Sequence, residues 1–89
     1  MGNKVVSLHA AVKKGDIKCV KTSLSEGANV NKKDEEGYTP LHFSAQEGHA
    51  DISQVILKYG ANVNEKDGAG RTALHWSAIK GNADVSKVL

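Results

Sequence analysis

Gly37-Tyr38-Thr39-Pro40-Leu41-His42-Phe43-Ser44-Ala45 returns 33 residues later as Gly70-Arg71-Thr72-Ala73-Leu74-His75-Trp76-Ser77-Ala78. The spacing also runs backwards, because Leu8-His9 stands 33 residues before Leu41-His42. Set against residues 67–89, residues 34–56 agree at 12 of 23 positions. A period of this length marks one supersecondary unit used repeatedly, and such a unit cannot bury its apolar side without a neighbour.

The second unit reads most completely. Thr39 suits a helix N-cap, and Pro40 suits the first helical position, where its missing N–H would be unpaired in any case. Leu41 and Ala45 place apolar contacts on one side of a short helix that Gly48 stops. Ile52, Val55, Ile56 and Tyr59 then fall at helical spacing and predict a second helix with one buried face, ended by Gly60. Ala61-Asn62-Val63-Asn64 leads to the next turn, as Ala28-Asn29-Val30-Asn31 does one unit earlier.

In the first unit Asn3 is the expected cap of a helix through Val5, Leu8 and Val12, stopped by Gly15. Ile17, Val20 and Leu24 restart the apolar stripe. Helices of two or three turns are marginal alone, so stability must come from stacking of neighbours.

These residues resemble the ankyrin repeat: Asp34-x-x-Gly37-x-Thr39-Pro40-Leu41-His42-x-x-Ala45-x-x-Gly48, then Gly60-Ala61-x-Val63-Asn64. The resemblance covers nearly the whole chain. It implies an all-α ankyrin-repeat solenoid of stacked helix-turn-helix units with β-hairpin-like turns, in a single domain over residues 1–89. The units are about 1–33, 34–66 and 67–89, or about two and two-thirds repeats, the first without its opening turn and the third without its tail. The sequence therefore predicts that the native chain continues. Val85, Val88 and Leu89 are expected on an uncovered end that invites self-association or a following repeat.

Composition narrows the function. With 39% apolar and 25% charged residues, 89 residues make one globular unit, and no apolar run approaches the length of a membrane span. The single cysteine, Cys19, cannot form an internal disulfide, which fits a cytoplasmic or nuclear setting. The net charge of +2 conceals segregation: +5 over residues 1–33, −4 over 34–66 and +1 over 67–89. A bipolar field suits a charge-matched protein surface better than a phosphate backbone, and Arg71 is the only arginine, so no nucleic-acid partner is expected. Gly2 follows the initiator Met, but Val6 stands where a myristoylation signal wants Ser or Thr.

No motif carries chemistry convincingly. Gly68-Ala69-Gly70-Arg71-Thr72-Ala73 formally fits a nucleotide-binding pattern, yet the stretch before it is polar rather than a buried strand. His9, His42 and His75 recur with the period, but stacked helices hold equivalent residues roughly 8–10 Å apart, whereas zinc needs each ligand at about 2 Å. The resemblance gives His42 and His75 a structural role around the Thr-Pro turn. No catalytic residue, cofactor or metal site is expected.

Ankyrin arrays bind partners through their turn tips and the exposed side of each first helix. Carried over residue by residue, those places are Lys13 and Lys14; Glu35, Glu36, Tyr38, Gln46 and Glu47; and Ala69, Arg71, Ile79 and Lys80. Phe43 and Trp76 sit beside them, Phe43 more as a packing residue. Tyr38, Arg71 and Trp76 are the side-chain types that most often anchor interfaces. Glu35, Glu36 and Glu47 suggest an acidic strip for a basic segment of a partner. The resulting expectation is a protein–protein interaction module without catalysis, binding a protein or peptide on its concave face. Two alternatives are a regulatory segment of a larger enzyme or channel, and a membrane-surface adaptor using Gly2 acylation with the basic first unit.

Overall fold

The computed structural model describes residues 7–89, and within them six helices form in chain order: α1 (Leu8–Lys14), α2 (Ile17–Ser25), α3 (Pro40–Glu47), α4 (Ala50–Lys58), α5 (Ala73–Lys80) and α6 (Ala83–Val88). No strand occurs among the described residues. The helices pair as α1/α2, α3/α4 and α5/α6, and the pairs stack side by side into a body of 41 × 24 × 20 Å. Helices α1, α3 and α5 form an inner layer; α2, α4 and α6 form an outer one. The expected cap Asn3, with Val5 and the Gly2 of the acylation alternative, lies outside the described residues. The first helix is capped instead by Ser7, whose hydroxyl accepts the Ala10 N–H at 3.1 Å.

Local chemistry sets the ends of the inner helices. Thr39 Oγ1 accepts the His42 N–H at 3.3 Å while His42 Nδ1 accepts the Thr39 N–H at 2.9 Å, a capping box with His in the acceptor place. Thr72 and His75 repeat it at 3.3 and 3.2 Å. At the other end of α3, Gly48 turns the chain at φ +77°, a left-handed conformation that a Cβ disfavours. A Cβ there would also stand 3.1 Å from Asn82 Oδ1 of the next pair.

The turns between pairs are tight because an aspartate organises each one. Asp34 Oδ1 accepts the N–H groups of Glu36 and Tyr38, both at 2.9 Å, and the Asp34 N–H donates to the Tyr38 carbonyl at 2.9 Å. Asp67 does the same for Ala69 and Arg71 at 2.9 and 2.8 Å. Neighbouring turns touch: the Gly68 N–H donates to the Glu36 carbonyl at 3.2 Å, and a Cβ on Gly37 would stand 2.7 Å from Gly68 N. The nucleotide-like glycine run is therefore a turn pressed against its predecessor.

One core runs through the stack, built from Leu8, Val12, Val20, Leu24, Leu41, Ala45, Ile52, Ile56, Ala73 and Val85. Full burial of a side chain such as Leu41 contributes about 1.5–3 kcal/mol. Polar bonds bind one pair to the next at equivalent places. Because the acceptors are carbonyls, His9 Nε2–H donates to Tyr38 O and His42 Nε2–H donates to Arg71 O, each at 3.0 Å. Asn31 Oδ1 accepts the Asn62 N–H at 2.8 Å, and Asn82 Nδ2 donates to the Ala45 carbonyl at 2.7 Å.

Three details differ from the sequence reading. Tyr59 is 48% exposed rather than buried, because α4 ends at Lys58 and leaves it beyond the helix, over a shallow groove shared with Lys21 and Lys58. Val85, expected on an uncovered end, is fully buried, because it aligns with Ile52 and packs inward. The exposed large apolar residues of the third pair are Leu74 and Ile79 on α5, at 51% and 60%.

Candidate functional site

Turns and inner helices together present one continuous surface across the three pairs. On α1, Lys13 Nζ lies 5.3 Å from the centre of the Phe43 ring. Phe43, on α3, meets the edge of His9 at 5.6 Å and the tilted ring of Tyr38 at 5.4 Å. Tyr38, in the turn before α3, reaches Trp76 of α5 edge-on at 6.0 Å. Arg71 closes the row, its guanidinium 4.4 Å from the Trp76 ring centre. A basic side chain thus sits at each end of an aromatic row, in the arrangement that the ring quadrupole favours.

Asp67 holds the far end in place, and the sequence reading did not single it out. Its Oδ2 accepts the Trp76 indole N–H at 2.8 Å and lies 3.4 Å from Arg71 Nε, near enough for charge pairing without hydrogen-bond alignment. Burial alone would raise its pKa. The Arg71 N–H, the indole N–H, the Ala69 N–H and the guanidinium charge outweigh that and hold it down to about 2. The carboxylate therefore stays ionised and neutralises Arg71. The only sequence signal was its alignment with Asp34; Phe43 stands where Trp76 does, and Phe has no N–H to give.

Of the residues expected to meet a partner, Lys13, Tyr38, Arg71 and Trp76 come together in this row, while Phe43 is 7% exposed and serves packing. Lys14, Glu47 and Lys80 are exposed at the ends of α1, α3 and α5, Gln46 is half-buried, and Ile79 protrudes. Glu35, Glu36 and Ala69 are exposed in the turns. The acidic strip is not one patch: Glu35 and Glu36 precede α3 and Glu47 ends it. An eight-residue helix, about 12 Å at 1.5 Å per residue, lies between them.

Elsewhere the chemistry is quiet. Both nitrogens of His42 are committed to backbone groups. The Cys19 thiol donates to Asp16 Oδ2 at 3.2 Å, and that bond, with burial and the carboxylate charge, pushes its pKa up and keeps it protonated. Among the described residues, no three His, Cys, Asp or Glu side chains cluster as a metal site would require, and no helix is long and apolar enough to cross a membrane.

Helix pairs joined in series by the same bonds, with a continuous core and a variable row on one face, define a helical-repeat solenoid. The chain belongs to the ankyrin-repeat family: the family profile described as ankyrin repeats (3 copies) matches residues 8–89. Ankyrin repeats are, as a class, protein-interaction modules. Among curated proteins, protein phosphatase 1 regulatory subunit 27 of Homo sapiens is 43% identical over 37 residues, 42% of this chain and 24% of that protein. The Mus musculus protein of the same name matches equally. An ankyrin repeat protein of fowlpox virus (strain NVSL) is 47% identical over 36 residues, 40% of this chain and 26% of the viral protein. The matched segments span about a quarter of these relatives.

Proposed function

We propose that this chain is a protein-interaction module without catalysis of its own, binding a protein or peptide on the face shared by its turns and inner helices. One observation carries the reading: Lys13, Tyr38, Arg71 and Trp76, drawn from three helix pairs, meet in a single row. None of the four recurs with the period, so the frame does not require them. Half-exposed Tyr and Trp beside a guanidinium are the chemistry of interface anchors. The likeness to phosphatase regulatory subunits favours a regulatory use of the same face, with the module positioning or restraining a partner enzyme.

The test is affinity capture with the intact chain and with Tyr38→Ser, Arg71→Ser and Trp76→Ser combined. Circular dichroism must first confirm that the variant keeps its helices. Partners retained by the parent chain should be lost from the variant and kept by an outer-face control, Lys21→Glu with Lys58→Glu. The reverse pattern, loss with the outer-face control alone, moves the binding surface to the other side of the molecule.

A further inference from the structure

The inner-helix face changes in chemical character from one end of the stack to the other. On α1 the exposed positions after Ala10 are Lys13 and Lys14, the last two residues of the helix, where cations also complement the helix dipole. The equivalent places on α5, after Trp76, are Ile79 and Lys80. Neither Lys13 nor Lys14 has a carboxylate within ion-pair distance among the described residues, where the only salt bridges are Lys33–Glu65 and Arg71–Asp67. Arg71 is already neutralised. The two adjacent, unpaired cations of the face therefore sit on α1, while its largest exposed apolar side chain, Ile79, stands beside Trp76 on α5.

The exposure of Ile79 belongs to this face and not merely to the end of the stack. Its counterparts Lys13 and Gln46 are exposed and half-buried with a following pair in place, whereas the counterparts of Leu74 are covered there. Between the two ends lies α3 with Glu47, which repels an acidic segment locally; of the two ends, α1 offers two adjacent cations and α5 the single exposed Lys80, so paired acids are favoured at the α1 end.

From this placement, and resting on the interaction reading above, we propose that the partner is a protein segment with paired acidic residues that meet Lys13 and Lys14. The segment also carries an aliphatic or aromatic side chain that covers Ile79 beside Trp76. Two inner-helix steps of about 10 Å each separate the sites by roughly 20 Å. An extended segment rising about 3.3 Å per residue covers that in about six residues. The basic segment suggested by the acidic turn residues is the competing occupant.

The experiment is selection of a displayed random-peptide library against the whole chain, with emission of Trp76, the sole tryptophan, as the second readout. Enriched peptides should carry two acids and an apolar residue about six positions away and should shift Trp76 emission. They should lose about tenfold or more in affinity both to Lys13→Glu with Lys14→Glu and to Ile79→Ser. All three positions are exposed, so the variants test contact rather than folding. Enrichment of basic peptides, acidic peptides indifferent to Lys13 and Lys14, or no enrichment at all overturns the proposal. Basic peptides that still shift Trp76 emission leave the interaction face standing. Peptides indifferent to every inner-face substitution, Tyr38→Ser included, sink both.

Discussion

Asp67 shows how one buried charge organises a surface. Its carboxylate takes two turn N–H groups, the Trp76 indole and the Arg71 charge while only 7% of the residue is exposed. The folded pKa of about 2 lies below the ordinary 3.8, so the ionised form stabilises the fold. That contribution is complete above about pH 4 and fades as pH falls toward 2. Acid titration followed by Trp76 emission should therefore show a transition in that window that Asp67→Asn removes. A Trp76 signal flat from pH 5 to 2 in the parent chain would contradict the assignment. Asp67→Ala leaves buried donors without an acceptor and should cost about 2–3 kcal/mol in urea unfolding. The role was not legible in the sequence because repetition highlights what recurs, and the Asp67–Trp76 bond exists where the third unit departs from the second. The histidines were half legible. Their capping role follows from position alone, but the bond from His42 Nε2 to Arg71 requires the stacked neighbour. His42→Ala should accordingly destabilise by about 1–2 kcal/mol more than His75→Ala, whose Nε2 meets no acceptor among the described residues. Equal costs would mean that the link between pairs contributes nothing.

Helix ends were the most legible elements, because caps and left-handed glycines act within four residues of themselves. Thr39, Pro40 and Gly48 each occupy the place that sequence assigned. Tyr59 was misplaced because periodicity has no terminus: the i+7 position extends the buried stripe only if the helix continues, and α4 stops one residue short. The same comparison of elements suggests an improvement. Ala73 begins α5 where Pro40 begins α3, its N–H stands at the first helical position where the helix supplies no carbonyl to accept it, and Thr72 before it has the extended conformation that a following proline needs (ψ 172°). Ala73→Pro should stabilise the chain by about 0.4–1 kcal/mol through the unfolded state, read as a raised urea midpoint at unchanged slope. Glycine replacements should sort by surroundings. Gly37 and Gly60 share a positive φ, 86° and 92°, but only at Gly37 would a Cβ collide with backbone, 2.7 Å from Gly68 N. Gly60→Ala should cost about 1–2 kcal/mol for the backbone alone, and Gly37→Ala clearly more.

At the scale of the whole molecule, each helix pair is stabilised by the pairs it packs against, and stability is close to a sum of units and interfaces. That architecture was legible in the 33-residue period alone, but the distribution of exposure was not, since it depends on which faces find a neighbour. Leu41 is 2% exposed between two pairs; Leu74, its counterpart, is 51% exposed with a pair on one side only. Within residues 7–89 the third pair has one interface where the second has two, so in this stretch of chain its local opening should cost less free energy than global unfolding. Amide hydrogen exchange read by mass spectrometry should show α5 and α6 exchanging before α3 and α4. His42→Ala, which removes the bond to Arg71 across that interface, should widen the gap by accelerating α5 and α6 more than α3. A control at the opposite interface makes the argument directional. His9→Ala removes the matching bond to Tyr38 and should accelerate α1 and α2 instead. If either substitution hastened exchange evenly along the chain, the stack would be opening as one cooperative block, and the pairwise interfaces would not be separate units of stability.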